Sequence, residues 1–466
     1  MRIIMHSCRN NIGKYILIWS YLAIYLFTFI GLSLLDIHKV NAGSSQGYPE
    51  APEIITDYCI LMDADTGNIL YEKNSNEQCY PASVTKLMTA LLVVENCNMS
   101  DTLTVSSNAV ASVKYGDATA GLKKGEEFTI EQALNIMLIK SANDMAYALG
   151  EYVGGSIANF ATMMNKKAEE LGCLNTHFSN ASGLTDVNHY TTAYDMALIC
   201  RAVIDVPAIM NAISYTKSYS VPPTNMTSDT RYYKLSHSMV TGKYLYEHCI
   251  GGKTGYTDAA GHTLATFAEK DGLRLICIIF NSTDEERYQD TTALFEYAFN
   301  NFHRVNISEN EDSFSFNQGL GLSAFGINGK ALKSRTGITL SIPSEDYLLI
   351  PNGVHFSELS REIVYNQTTE ESELSGGYAS IYYYYDNHPV GQTNLIIPMS
   401  SNTTISTGLP YLTAAGSDNT DTVYTLQGGR YIAVNLWLFI GAVCIIVLII
   451  VLILHSKKTR HDLRFD

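Results

Sequence analysis

The sequence predicts an α/β (α+β) sandwich, an antiparallel sheet covered by helices, followed by a small all-β domain. Three observations carry that expectation. A strand hairpin opens the stretch from about 50 to 302, helical periodicity fills its middle, and paired strands with one more helix close it before periodicity of 3.6 disappears.

Taken in order, Tyr58 to Tyr71 reads as a hairpin: Cys59-Ile60-Leu61-Met62 and Asn68-Ile69-Leu70-Tyr71 flank the turn-forming Asp65-Thr66-Gly67. After Pro81 the pattern turns helical, with Leu87, Leu91 and Leu92 on one face. Ile130 to Val153, Ile157 to Leu171 and Ala193 to Ile204 read as further helices. From about 249 strands return. Gly261–Ala268 and Leu273–Phe280 are joined by Lys270-Asp271-Gly272, a hairpin turn, and Arg287 to Phe302 is helical again. Residues 305–400 lack helical periodicity. There Ala379–Tyr385, Asp386-Asn387-His388 and Val390-Gly391-Gln392 read as strand, turn, strand, with alternate tyrosines filling a sheet core rather than forming a sugar-stacking platform.

Both ends are membrane-directed. Arg2, Arg9 and Lys14 precede an apolar run from Tyr15 to Leu35, and Val40-Asn41-Ala42 supplies small residues for cleavage, so 1–42 reads as a signal peptide or, if uncleaved, an anchor. Residues 434–454 include the unbroken apolar stretch Leu436–Leu454, long enough to cross a hydrocarbon core of about 30 Å. Lys457, Lys458, Arg460 and Arg464 in the 455–466 tail place the C-terminus in the cytoplasm. A Ser-, Thr-, Gly- and Asn-rich linker, 401–430, would join this single-pass helix to an extracellular domain at 50–303. The expected location is the outer face of a cell membrane.

A formal net charge of −15 argues against nucleic acid as a partner, which would need a basic face. The seven cysteines outside the two terminal segments are scattered and odd in number, and read as free, mostly buried thiols. No Cys/His cluster has metal-ligand spacing, and neither metal nor cofactor is expected. Oligomeric state is not legible.

Three short motifs carry chemistry. Ser83-Val84-Thr85-Lys86 begins a helix, where a three-residue separation sets the Lys86 amine beside the Ser83 hydroxyl. A serine needs a base to become a nucleophile, and a lysine is a base only when burial or nearby positive charge keeps it neutral. Ser141-Ala142-Asn143 follows the apolar run ending at Ile139, and Lys253-Thr254-Gly255 opens the first strand of the late hairpin. The ordered set S-x-x-K, S-x-N, K-T-G is the penicillin-recognising serine-enzyme pattern.

The chain from about 50 to 302 resembles the D-Ala-D-Ala carboxypeptidases among the low-molecular-mass penicillin-binding proteins, the S11 serine peptidases. Tyr80–Thr89, Ser141–Asp144 and Gly252–Thr257 carry the likeness, with Asn180–Leu184 and Asn188–Asp195 between them. Ala142 stands where family members often have Gly, and Ala181-Ser182 where Pro-His is common. The resemblance implies a penicillin-binding-protein/β-lactamase-like transpeptidase fold and a hydrolase of peptidoglycan stem peptides ending in D-Ala-D-Ala, acylated also by β-lactams. It implies Ser83 as nucleophile, Lys86 as base and Ser141 with Lys253 as proton relay. Asn143 would hold Lys86 and the substrate amide, and the Ser83 and Tyr256 amides would form the oxyanion hole beside Gly255. Thr254, Lys253 and Arg287 would receive the terminal carboxylate. Two alternatives share the motifs. A class A β-lactamase would need a Glu-x-x-x-Asn loop, which the stretch 145–252 lacks; a β-lactam sensor or wall-binding protein could keep the same fold without turnover, but a sensor would need a signalling domain that the short tail does not supply.

Overall fold

The computed structural model describes residues 47–311, 342–365 and 379–395. The leader, the linker and the apolar C-terminal segment lie outside the described residues, as does part of the all-β region. Among the described residues no single helix is long and apolar enough to cross a membrane.

Five antiparallel strands form the central sheet: β1 (Tyr58–Asp63), β2 (Ile69–Lys73), β3 (Cys249–Thr257), β4 (Gly261–Lys270) and β5 (Leu273–Ser282). Their order is β2-β1-β5-β4-β3, so the first hairpin pairs with the last strand and β3 is an edge. Lys253 therefore lies midway along a separate edge strand rather than opening the hairpin, which consists of β4 and β5. Asp271 (φ +51°) and Gly272 (φ +79°) make that hairpin's turn with both residues left-handed, the geometry that matches strand twist.

The sheet is buried on both faces, and its sequence says why. Along β5, Ile276, Ile278 and Phe280 enter one core cluster while Leu275, Cys277 and Ile279 enter the other. A strand covered on both sides reads as a continuous apolar run, not an alternating one. The first cluster is filled by α1 (Lys86–Asn96), α2 (Ile130–Ile139), α3 (Asn143–Gly154), α4 (Ile157–Glu170), α5 (Ala193–Ile204) and α6 (Pro207–Ile213). The second is closed by α7 (Glu286–Asn301), through Leu294, Phe295 and Ala298.

One helix expected from the sequence is two. The run Ile130–Val153 breaks at 140–142, where Ser141 takes φ +60° and α3 restarts from Ala142 in an extended conformation. Hydrophobic periodicity continues across the break because both helices pack on the same core, which is why the pattern alone hid it.

The remaining strands form small sheets. β6 (Phe302–Asn306) pairs with β7 (Tyr347–Pro351), and β8 (Ser360–Tyr365), β9 (Ala379–Tyr385) and β10 (His388–Leu395) form a three-stranded antiparallel sheet. Tyr383 and Tyr385 point into a core with Ile381 and Ile350 while Tyr382 and Tyr384 are only half-buried, as the sheet-core reading requires. The Tyr347 phenol donates to Asp63 Oδ1 at 2.8 Å, at the end of β1, so this β region is bonded to the central sheet. All seven described cysteines are free.

Candidate active site

The site forms where the turn before α1, the break between α2 and α3, and the edge strand β3 converge. Ser83 lies in a 3-10 turn, Ala82–Thr85, directly before α1, with Ala82 held at φ +48°. A non-glycine residue in that region stores strain and persists only if its surroundings over-determine it. Here they do. Thr263 Oγ1 donates to the Pro81 carbonyl at 3.0 Å, and Thr85 Oγ1 meets His189 Nε2 at 2.9 Å. His189 Nδ1 accepts from the Ser179 amide at 3.1 Å, which fixes the neutral tautomer with its hydrogen on Nε2, donated to Thr85. Burial lowers His189 to a pKa of about 4, so the ring stays neutral.

Two glycines allow the close approaches. A Cβ on Gly183 (φ +84°) would lie 1.8 Å from the Ala82 carbonyl oxygen. One on Gly255 would lie 2.8 Å from the Ser83 amide nitrogen and 2.3 Å from Thr263 Oγ1. Gly255 is thus the position at which β3 packs against the backbone of Ser83.

Lys86 is fully buried and its amine has three partners: Ser83 Oγ at 2.8 Å, Asn143 Oδ1 at 2.7 Å and the Ser182 carbonyl at 2.7 Å. Burial, then the charge of Lys253, hold its pKa well below the ordinary lysine value; Asp144 and Asp117 pull the other way. A neutral amine has two hydrogens and one lone pair. The Asn143 and Ser182 oxygens accept the two hydrogens, which leaves the lone pair for the Ser83 hydroxyl. The amine is therefore arranged to take the Ser83 proton.

Lys253 is also buried. Its amine donates to Ser141 Oγ at 2.9 Å and to the Thr254 carbonyl at 2.8 Å, and burial, then Arg287, lower it to about 7. Ser141, Ser83 and Thr254 are half-buried and Tyr256 is exposed, so the hydroxyls line the open side of a wall whose amines are buried. Thr254 Oγ1 lies 2.9 Å from Ser236 Oγ.

Arg287 takes a different position from the one its residue type suggests. It is buried behind β3, with one guanidinium nitrogen facing the Gly255 carbonyl at 3.5 Å and the Thr263 carbonyl at 3.2 Å and the other paired with Asp284. Its charge bears on Lys253, and one of its nitrogens meets carbonyls of both β3 and β4.

The structure brings Ser83, Lys86, Ser141, Asn143, Lys253, Thr254 and Gly255 together. Sequence reasoning missed the Ser182 carbonyl, His189 and Ser236. The 180–195 stretch was marked by resemblance, but a backbone acceptor has no residue signature. That also explains why Ser182 is tolerated where His is common: the contact to Lys86 is made by its carbonyl.

A protein-family model described as D-alanyl-D-alanine carboxypeptidase matches residues 45–284. The chain belongs to the S11 peptidase family. D-alanyl-D-alanine carboxypeptidase DacF of Bacillus subtilis is 35% identical over 249 residues, 52% of this chain and 62% of that protein. The match thus spans less than two thirds of the Bacillus relative. DacC of Escherichia coli is 31% identical over 59% of this chain and 69% of its own length. Among solved structures, a D-alanyl-D-alanine carboxypeptidase from Mycobacterium tuberculosis superposes with a TM-score of 0.50 at 26% identity, covering 55% of this chain and 95% of that one. Penicillin binding protein 6B from E. coli shares the fold at a TM-score of 0.55 and 24% identity, covering 75% and 97%. The S11 peptidase described here has the helix-covered antiparallel sheet of these proteins, followed by a small all-β region.

Proposed function

We propose that this serine peptidase removes the terminal D-alanine from peptidoglycan stem peptides through a Ser83 acyl-enzyme, acting outside a bacterial cytoplasmic membrane to which its C-terminal segment holds it. The observation that carries the reaction is the Lys86 amine at 2.8 Å from Ser83 Oγ, buried, with its two hydrogens directed to Asn143 and Ser182 and its lone pair left for Ser83.

In the reaction, Ser83 Oγ passes its proton to Lys86 and bonds to the carbonyl carbon between the two D-alanines. The Ser83 and Tyr256 amides stabilise the oxyanion, in a place where Gly255 permits close packing. As the C–N bond breaks, a proton reaches the leaving amine by way of Ser141 and Lys253, already hydrogen-bonded at 2.9 Å. Water then cleaves the ester and restores the Ser83 hydroxyl. A β-lactam carbonyl enters the same first step and leaves a slowly hydrolysed adduct. Membrane attachment rests on the apolar Leu436–Leu454 stretch and the basic residues after it.

The test is D-alanine release from a D-Ala-D-Ala peptide by the full-length protein, alongside labelled penicillin. Release and labelling, both lost in Ser83→Ala, are expected. Labelling without release would indicate a sensor, and rapid penicillin turnover a β-lactamase.

A further inference from the structure

We propose that Ser236 forms, with Thr254, a hydroxyl clamp for the substrate's terminal carboxylate, a role that rests on the carboxypeptidase reading above. Ser236 Oγ and Thr254 Oγ1 lie 2.9 Å apart, Ser236 is exposed and Thr254 half-buried. At that distance one hydroxyl donates to the other. A carboxylate is acceptor-only, with two oxygens and about four lone-pair sites, so it would take a hydrogen from each hydroxyl and replace that mutual bond with two charge-assisted ones.

The position of Ser236 is built by the residues around it. His237 is fully buried, its Nε2 3.1 Å from Thr266 Oγ1 on β4. Its ring lies so close to Gly252 of β3 that a Cβ there would sit 2.3 Å from Nε2. The Thr241 hydroxyl donates to the Leu235 carbonyl at 2.9 Å, and the Ser238 amide to the Tyr288 phenol oxygen at 3.3 Å. Residues 235–238 are therefore fastened to β3 and α7, and Ser236, between two buried neighbours, is turned to the open side beside Thr254.

Charge placement points the same way. The Lys253 amine donates to the carbonyl of Thr254, one member of the pair, at 2.8 Å. Arg287, the other cation, is buried and paired with Asp284 and two backbone carbonyls. Ser236 and Thr254 present hydroxyls beside Lys253, and these do the contacting while the cations supply field.

The test compares the full-length wild type, Ser236→Ala and Ser236→Thr on two substrates. One is an acyl-D-Ala-D-Ala peptide with a free carboxylate; the other is an activated acyl-D-alanine ester with no carboxylate. Losing a hydrogen bond to a charged group costs about 1.5–3 kcal/mol, so Ser236→Ala should reduce the acid-over-ester ratio of kcat/KM by roughly 10- to 100-fold. Ser236→Thr should restore most of it, because the hydroxyl remains. Equal loss on both substrates would make Ser236 merely structural and overturn the clamp, as would an unchanged ratio. A wild type that releases no D-alanine would overturn the reaction itself, and with it the clamp.

Discussion

Two lysines in one site cannot both keep their ordinary pKa. Lys86 lies well below its usual value because it is buried and because Lys253 is near; Lys253 in turn is lowered to about 7 by burial and by Arg287. Lys86 must be neutral to accept the Ser83 proton, so acylation rises with pH through the Lys86 pKa. Replacing Lys253 by Gln removes a charge that depresses Lys86. The Lys86 pKa then rises, and the acid limb of the penicillin-acylation profile should move to higher pH, on top of a rate loss of roughly 10²–10⁴-fold. An acid limb that stays put, or moves down, would refute this coupling. The Ser83–Lys86 pair was legible at this scale because three-residue spacing at a helix start dictates proximity. The third partner of Lys86 was not, because a carbonyl from residue 182 reaches it only through the fold.

At the scale of elements, the site is held by turns in unusual conformations: Ala82 at φ +48°, Ser141 at φ +60° and Gly183 at φ +84°. Gly183→Ala would both strain the backbone and drive a methyl into the Ala82 carbonyl. It should cost on the order of 1–3 kcal/mol in stability and displace Ser83, abolishing most penicillin labelling. Gly116→Ala separates the causes: Gly116 has φ +98° but nothing within 4 Å of its Cβ position. It should lower the melting temperature while labelling persists. If Gly183→Ala behaves like Gly116→Ala, the clash does not control the nucleophile. The sequence showed α4, α5, α7 and the late hairpin with nearly their observed limits, and missed α6. It showed neither the break at 140–142 nor the edge strand β3 as a separate element. Both are matters of backbone geometry, Ser141 at φ +60° and β3 paired along the outer side of β4.

For the molecule as a whole, two buried neutral histidines set a limit in acid. His189 and His237 fall from 6.5 to about 4 and about 3, burial being the main cause in each. As pH drops below 6.5 the unfolded chain takes up protons that the folded chain refuses, so stability falls until those folded values are reached. Each histidine contributes a slope of about 1.4 kcal/mol per pH unit within its window. Urea midpoints between pH 7 and 4 should therefore decline steeply, and His237→Gln should flatten the decline. An unchanged slope in that variant would exclude His237 as a source. His237 is also the residue that fastens the 235–238 turn behind Gly252, so the same burial that limits acid stability places Ser236 at the cleft.

By itself the sequence determined the chemistry: a serine and lysine three residues apart, a second serine with its asparagine, and a lysine–threonine–glycine strand. Those relations are local, set by helix period and strand alternation, and survive being read one residue at a time. The tertiary structure alone decided how the amines are tuned and what stands beside them. Lys86 meets Asn143 and Ser182 across 57 and 96 residues, and Ser236 meets Thr254 across 18. Desolvation and charge–charge coupling act through space, with no period along the chain, so only the folded core assigns them.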